Sequence, residues 1–176
     1  MKLRREFLPG VIALLFLIVA RQIYPYAGVM VADLWEGYEQ ETIATGLGGP
    51  TCLVFHNDVL HVCDREEGRI LKIDGDVLLD GLKHPHGMVF IDDGVVISEE
   101  GKLTKYDSNF ENPVVLVKGI PSGNHQTNAV NLLPNGTLVW HSGSTCNHCN
   151  EDDPRNAALL WVNSTTGEHG ILATGV

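Results

Sequence analysis

GLGGPTCLVFHNDVLHVCDREEGRILKID (46–74) and GLKHPHGMVFIDDGVVISEEGKLTKYD (81–107) are one phrase written twice. Each opens Gly-aliphatic, turns a corner at Pro or His, runs into an apolar strand, turns, and returns as a second apolar strand. A bend with charged residues and Gly then leads to a third strand. A further copy opens GIPSGNHQTNAVNLLPNGTLVW (119–140) and closes AALLWVNSTTGEHGILATGV (157–176). The turns Asn57-Asp58, Asp92-Asp93-Gly94 and Pro134-Asn135-Gly136 are built from residues that tolerate the backbone of tight hairpins. Leu53-Val54-Phe55 and Val95-Val96-Ile97 read as buried inner strands. The phrase starts at Gly46, Gly81 and Gly119, intervals of 35 and 38 residues. The third unit is longer because HSGSTCNHCNEDDPRN (141–156) is inserted between its second and third strands.

Repeats of that length holding about four short strands are the signature of propeller blades. A β-sandwich also uses many short strands, but it does not repeat a phrase. The fold class expected is therefore all-β, a β-propeller with about three four-stranded blades of a six-bladed ring, over residues 37–176. Gly37–Leu47 reads as an additional strand of the kind that completes the last blade of a ring. Three blades and one closing strand make half a ring, and an open half-ring leaves apolar faces and strand edges in water. The sequence reads as the N-terminal half of a larger protein.

Residues 1–28 read as a targeting segment. Basic residues at 2–5 precede FLPGVIALLFLIVA (7–20), an uncharged run within signal-peptide length and short of a comfortable membrane span. LRREFL is a loose match to a twin-arginine export signal. An uncleaved hydrophobic helix that anchors the chain in the membrane and a cleaved signal both remain open. Either way the body is exported, to a periplasmic or extracellular space, and disulfides are permitted. The chain carries 12 Lys+Arg against 22 Asp+Glu, a formal charge of −10. A chain this acidic has no spare cations to replace the counterions of a nucleic acid, so no nucleic-acid partner is expected. With 44% hydrophobic residues it can bury a core, which argues against disorder.

The stretch most informative about chemistry is GNHQTNAVNLLPNGTLVWHSGSTCNHCNEDDPRNAALLWVN (123–163). His125 stands just before the innermost strand of the third blade, where side chains approach the central channel. A neutral imidazole there can take a proton from a substrate hydroxyl; the alternative is a histidine that caps a loop. Cys146-Asn147-His148-Cys149 has the spacing of a small disulfide, a free thiol pair, or half a zinc site with His141 and His148 as further ligands. Asn150 after Cys149 excludes c-type haem attachment. If Asn57-Asp58 is a two-residue turn, Cys52 stands opposite Cys63, where a disulfide is geometrically feasible and two buried thiols are the alternative. His84-Pro85-His86 begins the second blade near the channel, as lining or as a packed corner. Asn135-Gly136-Thr137 and Asn163-Ser164-Thr165 have the form of glycosylation acceptors.

GNHQTN followed by LLPNGTLVWHSGS resembles the segment around the catalytic histidine of PQQ-dependent sugar dehydrogenases, the glucose/sorbosone dehydrogenase family. GSTCNHCNEDDPRNAALLWVN resembles its sorbosone dehydrogenase-like branch, and GLGGPTCLVF and GLKHPHGMVF resemble its blade openings. The resemblance covers about residues 37–176. It implies an oxidoreductase acting on a sugar or polyol with PQQ, calcium and an external electron acceptor. His125 would be the general base, removing a hydroxyl proton while hydride passes to the quinone, and Asn124 and Gln126 would lie against the cofactor. Glu151-Asp152-Asp153 would be a calcium candidate or a solvated loop. The glucose-oxidising members carry an acidic residue directly before this histidine. Asn124 can orient an imidazole but cannot stabilise imidazolium by charge. The family phrase at Ala173-Thr174-Gly175 runs on into an Arg-Asn pair, and the family's cationic quinone-binding groups lie in later blades, so this chain alone is expected to be inactive. The other expected classes are a non-catalytic extracellular propeller used as a binding scaffold, and a calcium-dependent lactonase-like hydrolase.

Overall fold

The computed structural model describes residues 38–125 and 128–175, and within them twelve strands fall into three antiparallel sheets of four. The first sheet is β1 (Pro50–His56), β2 (Val59–Asp64), β3 (Arg69–Lys72) and β4 (Val77–Leu79). The second is β5 (Gly87–Ile91), β6 (Gly94–Glu99), β7 (Lys102–Tyr106) and β8 (Val114–Lys118). The third is β9 (Val130–Leu132), β10 (Thr137–Ser142), β11 (Ala158–Asn163) and β12 (His169–Thr174). Each strand pairs with the next in sequence, so each sheet is a meander. β5 touches both β1 and β9, which places the first strand of every blade innermost. This is propeller architecture, without a closed ring among the described residues.

The local chemistry explains the register. Asn57 and Asp58 both adopt positive φ (49° and 61°), the conformation of a two-residue turn that matches strand twist. His56 therefore pairs with Val59, and counting outward brings Cys52 opposite Cys63. Their Cα atoms are 5.0 Å apart and a disulfide joins them. A second disulfide joins Cys146 and Cys149.

Burial follows from stacking blade on blade. Every residue of β6 is buried, because the middle sheet has a neighbour on each face. Val95 and Ile97 pack with Cys63, Ile70, Met88 and Phe110 toward the first blade. Val96 points the other way, into a cluster with Leu138, Trp140, Leu160 and Val162 of the third. The Trp140 indole N–H donates to Ser98 Oγ at 2.7 Å, so the largest core side chain also pins its own polar atom to the adjacent blade.

Three expectations are corrected. Leu53 and Phe55 are 63% and 74% exposed rather than buried. They alternate with Cys52 and Val54, which face the second blade, and a strand can turn only one of its two faces to that neighbour. Residues 38–47 form no strand. A strand exists only against a hydrogen-bonding partner, and β1 is paired on one side, by β2 alone. The insertion is also shorter than expected, since His141 and Ser142 complete β10. The hydrophobic helix expected over 7–20, and the whole segment 1–28, lie outside the described residues. Among the described residues no helix is long and apolar enough to cross a membrane.

The first two blades repeat a tight contact where the third strand begins, at Gly68 and Gly101; in the third blade Ala157, also at positive φ, stands at that point. In the second blade Gly101 has φ 71°, and a Cβ there would stand 2.5 Å from the Ile120 carbonyl oxygen. Ile120 N–H donates back to Gly101 O at 3.3 Å. Replacing Gly101 by Ala adds both left-handed strain and a backbone clash, and is expected to cost about 2–4 kcal/mol in urea denaturation. A loss within about 0.5 kcal/mol, the range of an inert surface substitution, would show that this corner yields freely. Removing the Cys52–Cys63 bond as a double alanine variant is expected to cost about 2–4 kcal/mol in the same assay.

Candidate functional site

The entries to β1, β5 and β9 and the bends β2–β3, β6–β7 and β10–β11 gather at one end of the blades. The last residue of the second strand in each blade is polar and buried there: Asp64, Glu99 and Ser142. Asp64 accepts the N–H groups of Gly48 and Gly49 at 2.8 and 2.9 Å and pairs with Arg69 at 2.8 Å. Glu99 accepts Lys83 N–H at 2.9 Å, and Lys102 Nζ stands 2.8 Å from its other oxygen. These carboxylates satisfy orphan backbone donors and hold the loops that enter the innermost strands.

His125 sits on the loop entering β9, exposed, at this end. Two backbone bonds tie the loop to the insertion between β10 and β11: Asn124 N–H to Thr145 O and His125 N–H to Ser144 O, both 3.1 Å. Gly123 permits the approach, since a Cβ there would lie 2.2 Å from Thr145 Cα. The His125 imidazole Nε2 is 2.5 Å from Asn147 Oδ1. An amide oxygen only accepts, so Nε2 carries the proton. Asn124, the expected cofactor contact, is exposed beside His125, and Gln126 lies outside the described residues. Cys146 and Cys149 flank Asn147, so their disulfide closes a small ring around the residue that meets the histidine. Two buried asparagines anchor the insertion. Asn128 Oδ1 accepts Gly143 N–H at 3.2 Å, and Asn156 Nδ2 donates to Pro121 O and Gly143 O at 2.9 and 3.0 Å.

A second cluster went unread in the sequence. The Glu100 carboxylate receives His84 Nδ1 at 2.7 Å and Lys83 Nζ at 3.1 Å, and bonds the Ser122 hydroxyl. Ser122 first, then His84 and Lys83, outweigh the cost of partial burial and hold its pKa down to about 2. Glu100 thereby knots the loop entering β5, the β6–β7 bend and the loop entering β9, three residues before His125. No local pattern could have shown this, because His84 and Glu100 are 16 residues apart. His86 is half-buried nearby, and burial lowers its pKa. His56 and His61 serve packing at the opposite end, where His56 stacks on Phe90 at 3.8 Å. That end also carries both glycosylation-type triplets, whose Asn135, Ser164 and Thr165 line a cleft of about 670 Å³ with Asp92 and Asp93.

The described residues do not by themselves fit a polyanionic quinone. Of the basic groups flanking these loops, Lys83, Lys102 and Arg155 are each paired with a carboxylate, Arg155 with Asp153 at 2.6 Å. Exposed Lys118 stands at the end of the outer strand β8 without a cradle around it. Nor does Glu151-Asp152-Asp153 converge on a calcium ion. Glu151 accepts Thr145 N–H and Oγ–H at 2.9 and 2.6 Å, and Asp153 is held by Arg155. Cys146, Cys149 and Glu151 have ligand atoms within 4.8 Å of one another, but both sulfurs are committed to the disulfide.

No family model and no curated protein matches the sequence. Among solved structures the chain is similar to one from a nidogen/laminin complex, at 20% identity and TM-score 0.59, covering 78% of this chain and 53% of that one. It is similar to the PQQ-bound aldose sugar dehydrogenase of Streptomyces coelicolor, at 19% identity and TM-score 0.52, covering 70% and 47%. A chain assigned as a gluconolactonase aligns at 12% identity and TM-score 0.60, covering 81% and 54%. At these identities the likeness is one of fold, and the chain spans about half the length of the structures it matches.

The Glu100 knot carries a pH signature. Its carboxyl titrates near 2 in the folded chain, below its ordinary 4.5, so its stabilisation is complete above about pH 4.5 and drains away as pH falls toward 2. Glu100→Gln is expected to lower stability at neutral pH by about 1–3 kcal/mol. The difference from the parent should shrink on acidification through that window, as read by thermal melts. A difference independent of pH would show that the charge has no role.

Proposed function

We propose that this chain is the part of an exported sugar- or polyol-oxidising propeller that handles the substrate proton, with His125 as general base. The observation that carries the reading is the exposed imidazole of His125 at the loop end of an innermost strand, backed by Asn147. A group so placed can accept a proton from a hydroxyl brought to the mouth of the blades. The neighbouring loops are fixed by Asp64, Glu99 and Glu100, so the base is presented on a preorganised rim. The resemblance around GNHQTN and the fold shared with an aldose sugar dehydrogenase support a sugar substrate. Residues 7–20 would deliver the chain to the membrane or beyond it, and an external acceptor would take the electrons.

The proton step is the only one assigned to this chain. A positioned base contributes roughly 10²–10⁴-fold, and Lys83, Lys102 and Arg155, which a PQQ-type quinone could otherwise use, are here paired with the chain's own carboxylates. The 176-residue chain with PQQ, calcium and an aldose is therefore expected to show no turnover and weak quinone binding. In a complete ring containing these blades, His125→Ala should lower aldose oxidation by about 10²–10⁴-fold while leaving PQQ affinity nearly unchanged. An alanine variant as active as its parent would make His125 a loop cap. Sugar-lactone hydrolysis without oxidation would move the protein to the hydrolase class, and binding with neither reaction to the scaffold class.

A further inference from the structure

We propose that Asn147 is a positioning residue for His125, and that the Cys146–Cys149 disulfide keeps it in place. The inference deepens the reading of His125 as a base, and its test examines the imidazole directly, so either can fail alone.

The Nε2–H of His125 donates to Asn147 Oδ1. In the neutral imidazole the lone pair then sits on Nδ1, and that nitrogen faces any proton to be taken. The base of the insertion is held without the disulfide. Thr145 is bound through N–H and Oγ–H to Glu151, Ser144 Oγ accepts Cys146 N–H at 3.2 Å, and the backbones of Asn124 and His125 pair with Thr145 and Ser144. The tip is different. Asn147, His148, Cys149 and Asn150 are all exposed. The entropy of ordering such residues rivals the net worth of a solvent-exposed hydrogen bond. The four-residue ring removes most of that entropy in advance. Opening it by a dithiol, which reduces the cystine to two thiols and is itself oxidised to a cyclic disulfide, frees the tip and leaves its anchored base. The accepting nitrogen of His125 thereby becomes sensitive to thiol–disulfide chemistry.

The test is the rate at which diethyl pyrocarbonate acylates the Nε2 of His125, the Nε2 and Nδ1 adducts being told apart by NMR of the modified imidazole, with exposed His148 as the internal control; Nδ1, which holds the lone pair, stays open in every variant. In the oxidised parent the bonded Nε2 should react roughly three- to tenfold more slowly than in Asn147→Ala, the factor an ordinary hydrogen bond corresponds to. Asn147→Asp keeps an acceptor and should retain the protection. Dithiothreitol, or the Cys146→Ser/Cys149→Ser pair without reductant, should abolish it. The serine pair separates this bond from Cys52–Cys63. Parent-like NMR dispersion in each variant would show that the blades still fold. Equal rates in parent and Asn147→Ala would overturn the positioning role. Protection that survives in the serine pair would overturn the part given to the disulfide.

Discussion

A four-stranded sheet has two faces, and the apolar residues on both must be covered by something other than its own strands. The blades meet this constraint by stacking side by side. β6 shows the consequence most plainly: Val95 and Ile97 go into one interface and Val96 into the other. At about 25 cal/mol per Å², such residues dominate the energy that holds the arc together. The cross-blade bond from Trp140 to Ser98 adds direction to that adhesion. Stacking also explains why loop-end chemistry is possible at all. Once the blades are fixed face to face, their entry loops and bends converge, and residues far apart in sequence become neighbours.

The convergence creates an electrostatic problem that buried carboxylates solve. Loops entering the innermost strands leave backbone donors with no strand to pair with. Asp64 and Glu99 accept them from inside the fold, each offset by a basic partner. Such pairs add little net stability, but losing one partner leaves a buried charge uncompensated. Their effect is therefore on specificity of loop position more than on stability. Glu100, one residue further on and partly exposed, extends the same device outward to His84 and Ser122.

How much of this was legible depends on the range of the interaction. Turn chemistry and strand alternation are local, so the three meanders, the two-residue turn at Asn57-Asp58 and the facing of Cys52 and Cys63 could be counted from the sequence. Gly46, Gly81 and Gly119, which mark the phrase starts, all take φ between 72° and 75°, a demand that falls at the same point of each repeat. Exposure of Leu53 and Phe55 could not be read, because an apolar strand residue reveals its preference but not whether a neighbour is present on that side. The strand expected over 37–47 failed for a related reason: pairing is a property of two segments. The contact of His125 with Asn147, 22 residues away, depends on how an irregular insertion folds back. Neither residue carries a local signal of it.

In the proposed reading, two tasks at the loop end make different demands on the chain's charge. A proton acceptor needs a lone pair, an orienting neighbour and access; His125 has all of these from two loops of one blade. An anionic electron acceptor needs cations whose charge is not already spent, and here Lys83, Lys102 and Arg155 hold the rim together through Glu100, Glu99 and Asp153. Diverting one of them to a ligand would release the carboxylate it steadies and loosen the loop that carries it. Basic side chains that serve architecture are in this sense unavailable for binding. In the proposed reading, the proton belongs to these three blades, and the quinone's charge must be met by groups with no structural carboxylate of their own.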